Sequence, residues 1–330
     1  METEIIHTRH NPLVDPDLSI WGWEIPGYLF LGGLTAGILI LSGIFFLWKR
    51  EEEYPFTVHL APIFAPLFLS IGMLFLFLDL EHKLYTWRLY LTFEWTSPMS
   101  WGSWALILIY PTSILFALMQ LRPHQRQAAI DWLRSTRYVN AVGRPLADML
   151  ERIFPWADGR RRYARVLAWI NVLMGVFIAM YTGILLSSFV ARPFWNSPIL
   201  GVLFLASGLS SASAMMILGT KKESEEHGMI RIDIAFLLVE LFLLSQLFIS
   251  YFTSSQYHIE AGMMIFGGDY TGLFWMLVVL QGILFPLFME IMELKNKFRF
   301  RLITPLSVLI GGLLLRILFV YIGQHSSVGL

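Results

Sequence analysis

Eight almost wholly apolar stretches of roughly 20 residues recur along the chain, at 28–48, 57–79, 101–121, 164–188, 198–218, 232–252, 270–291 and 302–323. Each is long enough to cross ~30 Å of hydrocarbon at ~1.5 Å of rise per residue. In lipid every backbone N–H and C=O must be bonded inside the segment, so such a span is a helix. Composition agrees: 56% of the 330 residues are hydrophobic and 15% charged, too apolar for one water-soluble core. The expected fold class is all-α, a polytopic membrane protein of eight transmembrane helices forming a single integral-membrane domain over 1–330. The first four spans occupy about 27–190, including a basic linker at 122–163, and the last four about 197–324, as two four-helix bundles.

Formal net charge is zero, but the basic residues are segregated. The connections after the first, third, fifth and seventh spans hold nineteen Lys and Arg, ten of them between Arg122 and Arg165; the other side holds four, Arg9, Lys83, Arg88 and Arg192. Basic loops stay in the cytoplasm, so both termini are expected outside. Residues 1–26 carry Glu2, Glu4, Asp15 and Asp17 rather than a basic segment before a short apolar run, so no cleaved signal peptide is expected.

With no cysteine, the chain has no thiolate for an iron–sulfur cluster. Of eight histidines only His59 falls within a span, whereas a bis-histidine haem needs two. No lysine sits inside a span, which excludes a retinal Schiff base. The expectation is a protein without haem, iron–sulfur cluster or flavin of its own; if it handles electrons, a diffusible carrier and a partner must hold them.

Ionisable side chains at membrane depth are costly and by default mark sites. Asp79 ends the second span, Glu240 lies within the sixth and Arg316 within the eighth. Asp233, Glu290 and Glu293 fall near the basic ends of their spans, where interfacial solvation is the simplest reading. Arg316 has 14 residues of apolar helix on its basic-loop side, placing it ~21 Å deep, as either a structural counter-ion or part of a site.

Depth groups the remaining polar residues at the face with few basic charges. Tyr28 opens the first span there, Asp79 closes the second, and Tyr181 and Arg316 fall in the same half of the fourth and eighth. Glu24, His82, Ser97, Trp101, Trp195, Asn196 and His258 are in turns or loops on that side. Singly, each has an ordinary explanation: an aromatic belt for Tyr28, Trp101 and Trp195, helix caps for Ser97 and Asn196, solvated loops for His82 and His258.

A ligand suited to such a pocket is a quinone. Its isoprenoid tail prefers lipid, its ring needs a flat aromatic slot, and its carbonyls exchange protons that Tyr hydroxyls and a buried carboxyl can supply. In "WEIPGYLFLGGLTAG" (23–37) the pair Gly33 and Gly37 forms a Gly-x-x-x-Gly that admits either a neighbouring helix or a flat ring. "LFLGGLTAG" (29–37) resembles "LFLASGLSS" (203–211), a weak sign of parallel repeats. The linker 122–163 mixes Ile, Leu, Trp and Phe with arginines, as an amphipathic segment on anionic lipid would, and a cytoplasmic partner site is the other reading.

"WEIPGYLFLGGLTAG", "FLDLEHKLYTWRLY" (77–90), "SPMSWGSWAL" (97–106), "YTGILLS" (181–187), "RPFWNSP" (192–198) and "LIGGLLLRILFVYIG" (309–323) run in order along nearly the whole chain. Together they resemble the NrfD/PsrC membrane subunits of polysulfide reductase and related complex iron–sulfur molybdoenzymes. The resemblance implies a cofactor-free quinone module in a bacterial or archaeal plasma membrane, with quinone or menaquinone as bound substrate. Its partners would be a ferredoxin-like four-cluster iron–sulfur subunit on the extracytoplasmic face and a molybdopterin or multihaem cytochrome subunit, with membrane lipid around it and no nucleic acid. It also implies that Tyr28 and Asp79 match the family's quinone-site tyrosine and acid, Tyr181 a donor, and Glu240 and Arg316 charged positions tied to proton handling. The candidate catalytic residues are therefore Tyr28, Asp79 and Tyr181. Candidate quinone contacts are Glu24, Gly33, His82, Trp101 and Asn196, and candidate proton-transfer groups are Glu240, Arg316 and Asp233. The competing reading is a non-redox ion or solute carrier, which would place its polar residues at the midplane beside broken helices.

Orientation is directly testable. Single cysteines replacing Ser255 and Ser224 should label with an impermeant maleimide from outside and inside respectively. Labelling in the opposite sense would invert the topology.

Overall fold

All eight apolar stretches are helical in the computed structural model, which describes residues 21–135, 140–295 and 301–326. Glu2, Glu4, Asp15 and Asp17 and the basic Arg9, Arg137, Lys297 and Arg299 of the charge argument lie outside the described residues. In order along the sequence the helices are α1 (Glu24–Leu47), α2 (Phe56–Asp79), α3 (Pro98–Gln120), α4 (Pro123–Ser135), α5 (Asn140–Asp158) and α6 (Arg161–Ser187). They continue with α7 (Ile199–Gly219), α8 (Glu223–Thr253), α9 (Gln256–Phe266), α10 (Thr271–Leu294) and α11 (Ile303–His325). Eight of these have the length and hydropathy to span a membrane, and among the described residues there is no strand. The protein is a multi-pass membrane protein of all-α class.

Polar ties mark the two ends of the bundle. At the arginine-rich end Arg122 pairs with Glu52 at 3.0 Å, Lys222 donates to the Glu52 carbonyl at 2.5 Å, and Arg301 donates to the Thr220 carbonyl. There too the buried Glu225 carboxylate accepts from the Phe56 and Thr57 amides at 3.2 and 2.8 Å and from the Thr57 and Thr220 hydroxyls. An anion against the first N–H groups of α2 uses donors that the helix itself cannot satisfy. At the arginine-poor end Arg192 donates to the Gln324 and Ser326 carbonyls at 2.6 and 2.7 Å, capping the last turn of α11. The Gln324 side chain meanwhile bonds both backbone groups of Trp21.

α1 is the central helix, packed on α2, α6, α7 and α11. Its glycines allow this. A Cβ on Gly208 of α7 would sit 2.7 Å from the Gly33 carbonyl oxygen, and one on Gly37 would sit 2.6 Å from the Ala212 Cβ. Gly33/Gly37 and Gly208/Ala212 are thus two small-x-x-x-small pairs pressed together. The two look-alike fragments of the sequence are the two sides of this crossing, and they join the N- and C-terminal halves of the molecule. A second close approach sets α10 on α11, where a Cβ on Gly282 would fall 2.7 Å from the Gly311 Cα. α10 is wound as a π-helix over Phe274–Leu284, directly before Pro286, which has no N–H to donate back into the preceding turn.

The basic linker forms two helices, α4 and α5, packed on each other. Leu121, Ile130, Leu133, Ala147 and Phe154 make a small core that rests on Leu60, Ile63 and Leu118 of the spanning helices. Arg126 holds both Asp158 oxygens at 2.7 and 2.8 Å, donates to the Leu121 carbonyl, and keeps the Asp158 carboxyl below its ordinary range. Three acids expected to be solvated are in fact buried: Asp233, Glu290 and Glu293 are 0%, 1% and 8% exposed. Helix α8, at 31 residues, is about ten longer than hydrocarbon requires, and its basic-end turns bury Glu225, Glu226, Met229, Ile230 and Asp233 against protein.

The crossing gives a stability test. Gly208→Leu should lower the thermal midpoint of the detergent-solubilised protein by several degrees, or prevent folding, because backbone cannot yield as a side chain does. Gly272→Leu, at an exposed position with nothing within 4 Å, should leave it unchanged. Equal midpoints for both variants would refute the close crossing.

Candidate functional site

Three helix ends converge on a cavity of about 490 Å³ at the arginine-poor end. α1 brings Ile25, Tyr28 and Leu29, α2 brings Ser70, Met73, Phe77 and Asp79, and α6 brings Tyr181 and Leu185. α3 closes the floor with Met99, Gly102, Ser103 and Leu106, and the 3₁₀ segment Lys83–Tyr90 supplies Thr86 and Tyr90. Leu74, Phe77 and Met99 line the cavity yet are 53%, 41% and 52% exposed, so the space opens sideways between α2 and α3 onto the surface that faces lipid.

Backbone approach decides where Tyr181 points, while Tyr28 is in ordinary contact with its glycine neighbour. A Cβ on Gly72 would stand 3.8 Å from the Tyr28 ring, and one on Gly102 would overlap Tyr181, whose Cε1 lies 2.7 Å from that position. Only glycine at 102 leaves room for the Tyr181 hydroxyl over the α3 backbone. The Tyr181 ring is stacked on Phe177, with centroids 6.2 Å apart. Burial pushes the Tyr90 phenol above its ordinary range, which keeps it a neutral donor. The lining is thus mainly apolar, with a few hydroxyls and one carboxyl converging. A cavity of this size and make-up suits a flat apolar ligand with hydrogen-bonding edges.

The expected catalytic trio Tyr28, Asp79 and Tyr181 lies in this cavity; the five expected contacts are not among its lining residues. Glu24 is in the first turn of α1, beside Gly22, where an acid complements the helix dipole. Gly33 faces Gly208, and a Cβ there would be 3.2 Å from Arg316 Nη2. His82 is exposed, in edge contact with Tyr85. Trp101 donates to the Trp95 carbonyl at 3.0 Å within a cluster with Phe93. Asn196 lies in the turn before α7, its amide bonded to the Arg192 carbonyl at 3.1 Å. Trp195, which suits an aromatic belt by position, is instead 3% exposed, stacked on Trp21 and bonded through Nε1 to the Phe319 carbonyl at 2.7 Å. Tyr90, Thr86 and Gly102 escape the sequence reading although each stands in a motif it singles out; spacing alone does not tell which side of a turn faces inward.

Deeper in the bundle Arg316 is 1% exposed. Its Nη1 donates to the Ser207 hydroxyl at 2.6 Å and the Gly312 carbonyl at 2.9 Å, and Nη2 to the Phe204 carbonyl at 3.2 Å. The guanidinium lies over the Phe204 and Phe30 rings, 5.1 and 6.0 Å from their centroids. Glu240 is 4% exposed and hydrogen-bonds Ser207 from the other side, so one hydroxyl stands between the acid and the arginine. Toward the arginine-rich end Asp233 accepts from the Ser210 hydroxyl at 2.6 Å and meets the carboxyl of Glu290, a residue whose place near a span end suggests solvation. Two acceptor-only carboxylates in contact require a proton between them.

Similarity to known proteins extends over the whole length. The family model described as "Polysulphide reductase, NrfD" matches residues 10–327. The sequence is 29% identical over 321 residues to a polypeptide of the polysulfide reductase of Wolinella succinogenes, covering 92% of this protein and 94% of that one. It is 29% identical to protein NrfD of Escherichia coli over 317 residues, 92% and 95% of the two lengths. It is also 24% identical over 327 residues to one of the subunits of the selenate reductase of Mesobacillus selenatarsenatis, 93% and 75% of the two. Eight spanning helices and a match that runs almost from end to end give one conclusion: the chain belongs to the NrfD family.

Proposed function

We propose that this protein is the membrane anchor and quinone-reactive subunit of a multi-subunit respiratory oxidoreductase. The observation that carries the reading is the convergence of Tyr28, Asp79 and Tyr181, from three helices, on one cavity open to lipid. The names of the polysulfide and selenate reductase relatives, which are parts of reductases, support the membrane-anchor role. A quinone or menaquinone headgroup enters between α2 and α3 with its tail left in lipid. Reduction of the quinone takes two electrons and two protons, one for each carbonyl oxygen; oxidation of the quinol returns them. Tyr28, Tyr181 and Asp79 bind the carbonyl oxygens and hold or pass those protons, while Tyr90 and Thr86 cover the ring from the 3₁₀ segment.

The electrons travel to or from an iron–sulfur subunit docked over the arginine-poor end; the basic asymmetry supports reading that end, together with both termini, as extracytoplasmic. The ferredoxin-like four-cluster subunit, and a molybdopterin or multihaem subunit beyond it, are the partners this role calls for. Exposed Leu84, Trp87, Leu91 and Trp95 beside the cavity mouth, at 88%, 55%, 68% and 71%, suit such a contact. Glu240, Arg316 and Asp233, joined by Glu290 and linked through Ser207 and Ser210, form a route for protons toward the arginine-rich end.

Two sets of variants test this. Tyr28→Phe and Asp79→Asn should each lower quinol-linked turnover of the assembled complex by about 100-fold or more, the ordinary scale for losing a positioned proton donor. Gly102→Ala, which displaces Tyr181, should cost less but in the same direction. Near-normal rates in Tyr28→Phe and Asp79→Asn would move the site elsewhere. For the proton route, Glu240→Gln in liposomes should slow turnover or abolish its pH change with assembly intact; an unchanged rate and pH change would leave Glu240 a packing residue.

A further inference from the structure

We infer that the junction of α5 and α6 is a binding site for an anionic phospholipid, with its phosphate held by Arg161, Arg162 and Arg165 and an acyl tail laid along α6. The inference does not depend on the quinone reading, since the cavity lies at the other end of the bundle.

Between Glu151 and Glu223 the sequence contains a single acid, Asp158, against Arg160, Arg161, Arg162 and Arg165. That acid is engaged: Arg126 holds both its oxygens at 2.7 and 2.8 Å. All four arginines are exposed and outnumber the one nearby acid, so the cluster carries net positive charge on the surface. Arg160 is stacked on Trp156 at 4.1 Å, and Arg162 lies over the Tyr163 ring at 4.7 Å and bonds its hydroxyl at 2.8 Å. These contacts hold two guanidinium groups in place without neutralising them.

The position of the cluster identifies its ligand. On α6, Val166, Trp169, Leu173 and Phe177 are 55%, 55%, 64% and 37% exposed. Their spacing of three and four residues makes one continuous apolar stripe along a helix that spans the membrane. Arg162 and Arg165 stand one turn before Val166 and Trp169 on that same face. A phosphate at the arginines is therefore collinear with an apolar track ~16 Å long at helical rise. A soluble partner reaches the arginines but not the track; a phospholipid fills both. Trp156 and Tyr163, which carry the stacked arginines, and the exposed Trp169 are the amphipathic rings expected at headgroup level.

Native mass spectrometry of the detergent-purified protein, titrated with phosphatidylglycerol or phosphatidylcholine, tests this. Wild type should bind phosphatidylglycerol at least tenfold more tightly. Arg162→Gln and Arg165→Gln should each weaken it about fivefold, the usual effect of one basic residue at an anionic surface. Arg144→Gln/Arg152→Gln, removing exposed arginines elsewhere on the linker, should preserve the preference, and millimolar inorganic phosphate should not displace the lipid. Equal binding of the two lipids, an undiminished preference in Arg162→Gln and Arg165→Gln, or an equal loss in the linker control would overturn the site. Displacement by phosphate would make it a simple anion site rather than a lipid site.

Discussion

The crossing of α1 over α7 fixes where nearly everything else can stand. α1 is in contact with α2, α6, α7 and α11 at once, and where its Gly33 and Gly37 meet Gly208 and Ala212 of α7 no side chain larger than a methyl keeps the two helices at the usual interaxial distance. Gly33 also leaves the space into which Arg316 reaches from α11. One turn before Gly33, Leu29 already lines the cavity, and Tyr28 is its neighbour. A methyl group at the crossing would therefore move both the arginine and the tyrosine relative to Asp79 and Tyr181. In lipid there is no hydrophobic force to draw helices together, so close backbone packing supplies the attraction, and the geometry of the site follows from it.

A protein that buries charge in a low-dielectric medium must compensate it, and here dipoles do most of the work. Arg316 has no ion pair among the described residues; two backbone carbonyls, a serine hydroxyl and two aromatic faces surround it. Fixed dipoles stabilise a cation without adding a second ion whose desolvation must also be overcome. Glu225 shows the complementary case, a carboxylate held by the N–H groups that open α2. Ionisable groups thus occupy both ends and the middle of the bundle with little direct pairing of opposite charges there. The ion pairs lie outside the spanning helices, at the α1–α2 connection (Arg50 with Glu53, Glu52 with Arg122) and on the α4–α5 surface (Arg134 with Asp148 and Glu151).

What is legible in the sequence follows from what lipid enforces. Backbone satisfaction and bilayer thickness make spans obligatory, and the apolar stretches at 28–48 and 164–188 correspond to Glu24–Leu47 and Arg161–Ser187 within a few residues. The trio of cavity residues is legible because depth along a spanning helix can be counted. Rotation about the helix axis cannot be counted in a helix that is apolar all round, since no amphipathic stripe marks its buried face. For that reason Glu290 reads as solvated although it faces Asp233, and Trp195, in the turn before α7, reads as interfacial because the sequence does not show that this turn folds back onto Trp21 and Phe319. The linker is legible in the opposite way: α4 and α5 gather Ile130, Leu133, Ala147 and Phe154 into one small core while Arg134, Arg144 and Arg152 stay exposed, with Arg126 drawn inward onto Asp158. The expected division into two four-helix bundles is not evident where α1 and α6 pack on α7, across the two halves.

The inward-facing serines of α7 connect the ends of the molecule. Ser210 touches Asp233, and Ser207, one turn on, touches both Glu240 and Arg316. From Arg316 beside Gly33 the remaining step to Leu29 at the cavity wall is about one helical turn, ~6 Å. On the proposed reading, a proton moving between the Asp233–Glu290 pair and the cavity finds a polar atom at each turn but no unbroken run of hydrogen bonds. Hydroxyls suit such a route because each donates and accepts, so passing a proton leaves no charge behind on the serine. The remaining gaps are of the length that one or two bridging waters span. Phe204 and Phe30 flank Arg316, and on the proposed reading such apolar neighbours limit how many waters enter, which favours a hopping proton over a hydrated cation that would have to shed its shell.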